Sequence, residues 1–152
     1  MSSHGKMNTN VKRLTPWALA VGDCIALLLF VFIGQRDHEM IDPVHPLVGL
    51  LLTGGEFILP WIVAGYLLGA FRMEWAWSGS HLHEFLTHTL NTWLVAGPLA
   101  LLLRALVLGR AVIPTIFIIV ALGFEGLFIF AWRLAFLLFW RISGARPVPG
   151  NP

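Results

Sequence analysis

A chain of 152 residues with 57% hydrophobic and only 12% charged side chains carries about half the charge of a soluble domain. Together with a mean hydropathy of +0.78, this points to lipid as its solvent and leaves room for one domain. A formal charge of +2 without a basic stripe excludes a nucleic-acid partner, and the lone Cys24 excludes an intramolecular disulfide.

Residues 1–14 form a polar, basic tail. Lys6, Lys12 and Arg13 precede an apolar run, as in a signal peptide, but no small-x-small cleavage site follows and the run ends in Gly34-Gln35-Arg36. The run is therefore an uncleaved first span, Pro16 to Gly34, with the proline at the helix start. A polar loop, Gln35 to Pro46, leads to a second span from Leu47 to Phe71. Residues 72–86, with Trp75, Trp77, His81 and His83, read as an interfacial linker. The third span covers Thr87 to Leu108, Gly109-Arg110 makes a tight turn, and the fourth runs from Val112 to Trp140. Residues 142–152, with Pro147, Pro149 and Pro152, are an irregular tail. Each span reaches or approaches the ~20 residues that cross a bilayer. The expected fold is all-α: a compact bundle of four transmembrane helices within residues 15–141.

Lys6, Lys12, Arg13, Arg72, Arg141 and Arg146 fall on one side of these spans, against Arg36, Arg110 and Arg104 near the other. That bias places both termini in the cytoplasm of a multi-pass cell-membrane protein, and Trp17, Trp75, Trp77 and Trp140 mark its boundaries. Ala18 with Gly22, and Gly65 with Gly69, have the small-xxx-small spacing of close helix packing.

Asp23, Glu56, Arg104, Glu125 and Arg133 lie inside the spans, where a central charge costs about 2.5–3.5 kcal/mol. The fourth span holds two of them, and its Leu, Ile, Phe and Val residues match or outweigh that cost. At about 1.5 Å per residue, the charges sort into two layers. Asp23 and Arg133 share one; Glu56, Arg104 and Glu125 share the other. Both readings of the layers stand: ion pairs that lock a bundle, or an ion, proton or polar-substrate site. Three acids face two bases, and Glu125, flanked by Phe124, Leu127 and Phe128, is the one expected to stay neutral. Pro60 cannot donate to the Glu56 carbonyl, so a kink beside Gly54-Gly55 would present a free carbonyl and a carboxylate together. Pro98 is a second candidate kink.

His81, Glu84 and His88 share one face of a helix and could hold a metal, a haem or a chlorophyll-type pigment. They suit equally an interfacial helix meeting water and headgroups, and no His-Glu-x-x-His is present. Arg36, Asp37, His38, Glu39, Asp42 and His45 read as a solvated connector. No nucleophile elbow, P-loop or dinucleotide fingerprint occurs, so no catalytic residues and no cofactor are expected.

Asp23 before an apolar run to Phe30, then Gly34-Gln35-Arg36-Asp37-His38, Pro60-Trp61, Pro98 with Leu101-Leu102-Leu103-Arg104-Ala105, and Trp132-Arg133 follow one another in order. In this set, over about residues 17–140, the chain resembles an uncharacterised prokaryotic membrane family, domain of unknown function 3054. The resemblance implies a compact four-helix membrane protein without an established reaction. It directs attention to Asp23, Gly34, Arg36, His38, Arg104, Trp132 and Arg133.

Three functions are compatible with these features. The first is an accessory or structural subunit of a larger membrane assembly, with lipid and other membrane subunits as partners. The second is a small transporter or proton- or ion-conducting protein using the buried Glu and Arg residues. The third is pigment or haem binding through a histidine. The orientation is testable on its own. A reporter enzyme active only outside the cytoplasm should be silent when fused to Pro152, and strong activity there would overturn the span count or the orientation.

Overall fold

A computed structural model describes residues 9–37, 44–72 and 82–142. They form four helices: α1 Thr9–Asp37, α2 Pro46–Leu67, α3 Leu82–Val107 and α4 Thr115–Ile142. Each is long and apolar enough to cross a membrane. Consecutive helices pack on one another and α1 closes the ring against α4, the up-down-up-down arrangement of a four-helix bundle.

The helix ends differ from the expected spans for local reasons. Pro16 lies inside α1 instead of at its start, and Gln35, Arg36 and Asp37 extend that helix into the predicted loop. Gln35 can leave the loop because its amide donates to the Gly49 carbonyl at 3.3 Å and the Thr53 hydroxyl at 3.0 Å. Pro46 opens α2, a position that needs no intrahelical N–H. α2 stops at Leu67, short of Phe71, because Gly69 turns left-handed at φ 75° and the Ala70 N–H returns to the Gly65 carbonyl. Gly109, at φ 61°, ends α3 in the same way, with the Arg110 N–H on the Ala105 carbonyl. The expected tight turn is therefore a helix cap, and α4 begins only after Pro114. α3 starts at Leu82 and takes in the last residues of the predicted linker. Trp75, Trp77 and His81 of that linker lie outside the described residues, as do His38, Glu39 and Asp42. Pro60 and Pro98 both sit within continuous helices.

The core is built largely from small residues. Ala26, Ala64, Ala96, Ala100 and Ala121 surround Leu27, Phe57, Trp61 and Ile129. Large apolar side chains such as Trp17, Tyr66, Leu106, Val112 and Ile116 face outward instead. In water such a surface would be an association site over the whole molecule; in hydrocarbon it is the expected exterior.

Glycines set the closest approaches. Gly22 seats the Trp132 indole, whose ring occupies the space a Cβ would need. Gly97 and Gly126 bring α3 and α4 together, Gly97 against Leu122 and Glu125, Gly126 against Trp93. Of the small-residue pairs read from sequence, Gly22 does pack a neighbouring helix, whereas Gly65 receives Phe71 of its own hairpin and Gly69 lies beyond the helix end. Gly22→Ala should therefore cost about 1–3 kcal/mol by overpacking. Gly34→Ala, with open space at its Cβ, should be neutral or gain up to about 1 kcal/mol. Unfolding in mixed micelles measures both, and equal effects at the two positions would refute the seating of Trp132.

Candidate functional site

Two charged centres occupy the interior, one near each end of the bundle. The first joins all four helices. Arg133 on α4 donates from Nε to Asp23 Oδ1 at 3.1 Å and from Nη2 to Asp23 Oδ2 at 2.6 Å. This is a bidentate arginine–carboxylate pair, and both side chains are fully buried. Arg133 Nη1 donates to the Thr89 hydroxyl at 3.0 Å and to the Ala70 carbonyl at 3.1 Å. The Trp61 indole N–H donates to Asp23 Oδ2 at 3.0 Å. The rings of Trp61, Phe85 and Phe71 stand 5.2, 5.5 and 5.6 Å from the guanidinium carbon, a cation–π cage. Sequence reasoning paired Asp23 with Arg133 but missed Thr89 and the carbonyl that the α2 cap turns inward. Thr89 was in principle readable, since a hydroxyl in an apolar span needs a partner.

His88 belongs to the edge of this centre. Its Nδ1 lies 2.7 Å from the Leu68 carbonyl, one of the carbonyls that the end of α2 leaves without an intrahelical donor. A carbonyl only accepts, so Nδ1 carries the proton and the ring serves as a cap. Among the described residues no group of three or more His, Cys, Asp or Glu is placed to hold a metal. His81 of the predicted triad is outside them.

The second centre lies toward the other end. Arg104 Nη1 donates to Glu56 at 3.0 Å and 3.3 Å and to the Thr53 hydroxyl at 3.2 Å. Thr53 also accepts from Gln35, so α1, α2 and α3 are linked through one hydroxyl. All of the hydrogen bonds of the Arg104 side chain leave from Nη1; among the described residues Nη2 and Nε have no partner. The pair is less sealed than the first, at 18% and 10% side-chain exposure.

Glu125 does not join Glu56 and Arg104. Its carboxyl lies against Gly97, so that Arg104 is seven residues, about 10 Å, farther along α3. The depth count failed because α2 ends earlier and α3 begins earlier than the sequence implies. Glu125 is fully buried, and neither of its oxygens has a hydrogen-bond partner among the described residues. The Thr92 hydroxyl and Trp93 indole N–H on α3 are also without one.

Two cavities meet at Arg104. One, of about 290 Å³, opens between α1 and α4 and runs from Arg104, Thr53 and Gln35 down a wall that includes Phe117, Phe124 and Phe128. The other, of about 370 Å³, lies between Arg104, Arg110, Leu108 and Pro114. Arg104 and Phe117 line both. Gly34 and Asp37 are on the rim of the first, and Arg36 is exposed beside it. Trp132 hydrogen-bonds the Leu19 carbonyl at 3.4 Å, at the far end of the bundle.

Four helices long and apolar enough to cross a membrane, with charged pairs turned inward and large apolar side chains turned outward, have the character of a small membrane protein. Residues 20–141 match the family model described as Protein of unknown function (DUF3054), and the chain belongs to that family. No curated protein and no solved structure matches the chain.

The first centre makes a quantitative demand. Asp23→Asn or Arg133→Gln leaves a buried charge unpaired and should cost about 3–5 kcal/mol, with partial recovery in the double variant. Additive losses in that unfolding cycle would show that the two residues are not coupled.

Proposed function

We propose that this protein is a multi-pass membrane protein that holds a membrane-resident molecule in the paired cavities around Arg104. In this reading both termini lie in the cytoplasm, and the Arg104 end faces the outer side of the cell membrane. The carrying observation is the guanidinium itself. Glu56 and Thr53 fix it through Nη1, while Nη2 and Nε have no partner among the described residues, and the side chain lines both cavities. Unpaired donors in an apolar setting are costly, and a ligand acceptor would relieve that cost.

The rest of the bundle fits a holding role. The Asp23–Arg133 centre is buried and closed and lines neither cavity, so it serves to hold the bundle. An accessory-subunit role draws on the apolar exterior alone, which lipid satisfies as well as a protein partner would. A small transporter would use the same site, adding a step that moves the ligand.

Native mass spectrometry of the protein extracted from membranes in mild detergent tests the reading. Wild type should retain a small-molecule adduct at one per chain. Val120→Trp, which projects bulk from the half-exposed cavity wall, should lose it while keeping the wild-type melting temperature. A folded Val120→Trp protein that retains the adduct, or a wild type that never carries one, would refute the site.

A further inference from the structure

The charges around the paired cavities differ on their two sides. Arg104 and Arg110 are the charged residues of the cavity between α3 and α4. Allowing for Glu56, which neutralises one of them, that side has an excess of one positive charge. The Arg110 guanidinium has no partner among the described residues, and its position is held by the α3 cap, in which its own N–H closes on Ala105. On the other side, Asp37 stands at the rim of the phenylalanine-lined cavity and offsets the exposed Arg36 next to it, so that rim has no net positive charge to hold an anion. An anionic group is thus steered to the Arg104–Arg110 side, while the phenylalanine-lined side accepts apolar matter.

The length of that apolar side is informative. From Phe117 to Phe128, α4 climbs about 16 Å at 1.5 Å per residue. Half of the ~30 Å hydrocarbon core, the depth of one leaflet, is about 15 Å. The groove is open to the side, because Phe117, Val120 and Phe124 are 37%, 49% and 51% exposed. A chain could therefore enter from the bilayer without crossing a polar barrier. Phe128 meets Phe30 at a ring-centroid distance of 6.5 Å, which closes the lower end. Head and chain positions are joined at Arg104 and Phe117, the residues the two cavities share.

We propose that the occupant is an anionic phospholipid. Its phosphate lies between the Nη2–Nε edge of Arg104 and Arg110, and one acyl chain lies in the α1–α4 groove along Phe117, Phe124 and Phe128. This rests on the binding reading above and narrows it to a ligand class. Arginine presents a fork of donors that matches phosphate oxygens. Basic pockets between transmembrane helices are suited to anionic headgroups. Arg104 also sits in the last turn of α3, where helix carbonyls help to hold a cation.

The test uses the full chain, delipidated in detergent, with dioleoyl phosphatidylglycerol, dioleoyl phosphatidylcholine and sodium phosphate as probes. Native mass spectrometry should show one phosphatidylglycerol per chain, bound at least about tenfold tighter than phosphatidylcholine, because both offer the phosphate but the choline cation of the second sets like charge beside Arg110. Arg110→Gln should erase that preference. Arg110 is exposed, so its loss leaves the buried pairs intact and the variant should fold. Arg104→Gln should weaken both lipids, and Val120→Trp should abolish both. Equal binding of the two lipids, lost in Val120→Trp, would overturn the anionic assignment while the cavity remains a binding site. Displacement of phosphatidylglycerol by millimolar phosphate would show that the site takes the anion without the chain, overturning the lipid assignment. Lipid binding that is unchanged in a folded Val120→Trp protein would overturn both readings.

Discussion

The bundle depends on a single guanidinium. Arg133 is sealed from solvent, and a lone buried cation would be very costly. Its environment compensates on every side: the Asp23 carboxylate in a two-point contact, a hydroxyl, a carbonyl and three aromatic faces. Those groups come from α1, the α2 cap, α2 itself and α3. Satisfying one charge therefore requires every helix to be in register. An apolar surface facing hydrocarbon supplies little directional force between helices, so this polar network sets the arrangement that van der Waals packing then fills.

The two charged centres divide the molecule into a closed half and an accessible half. In the closed half, donors and acceptors are matched, and glycine at position 22 lets Trp132 press onto α1. In the other half, Glu56 and Thr53 occupy one nitrogen of Arg104, the other two have no partner among the described residues, and the side chain lines a cavity. The same residue type thus has opposite surroundings at the two levels. Between them Glu125 is buried without a described partner, at the seam where Gly97 and Gly126 let α3 and α4 approach closely.

Much of the fold was legible because the physics of a membrane-crossing helix is one-dimensional. Length and the absence of charge identify a span, and the four helices follow from them. The partnership of Asp23 with Arg133 was legible for a related reason: α1 and α4 reach past the predicted ends, yet the two residues keep a common depth. For the other charges the count started from ends that α2 and α3 do not have, so Glu125 could be assigned to the wrong layer while facing α3 at Gly97. Glycine caps also escaped. Gly69 and Gly109 end helices where hydrophobicity continues, and only the left-handed backbone reveals it. The cavities were not legible, because they arise from how α1 and α4 stand apart beyond Phe30 and Phe128 and how α3 meets the start of α4, properties of tertiary packing with no local pattern.

The separation of Asp23 and Arg133 along the chain, 110 residues, has a consequence for biogenesis. The ribosome delivers the carboxylate in the first span and its counter-ion only in the last. Until α4 emerges, a nascent chain of three helices carries an acidic group with no arginine opposite it. The Trp61 N–H can meet that group early, but it brings no charge. Final closure of the bundle is therefore a late event that awaits completion of the polypeptide. A chain truncated before α4 would keep an uncompensated acid among apolar helices, a chemically simple mark of an unfinished bundle.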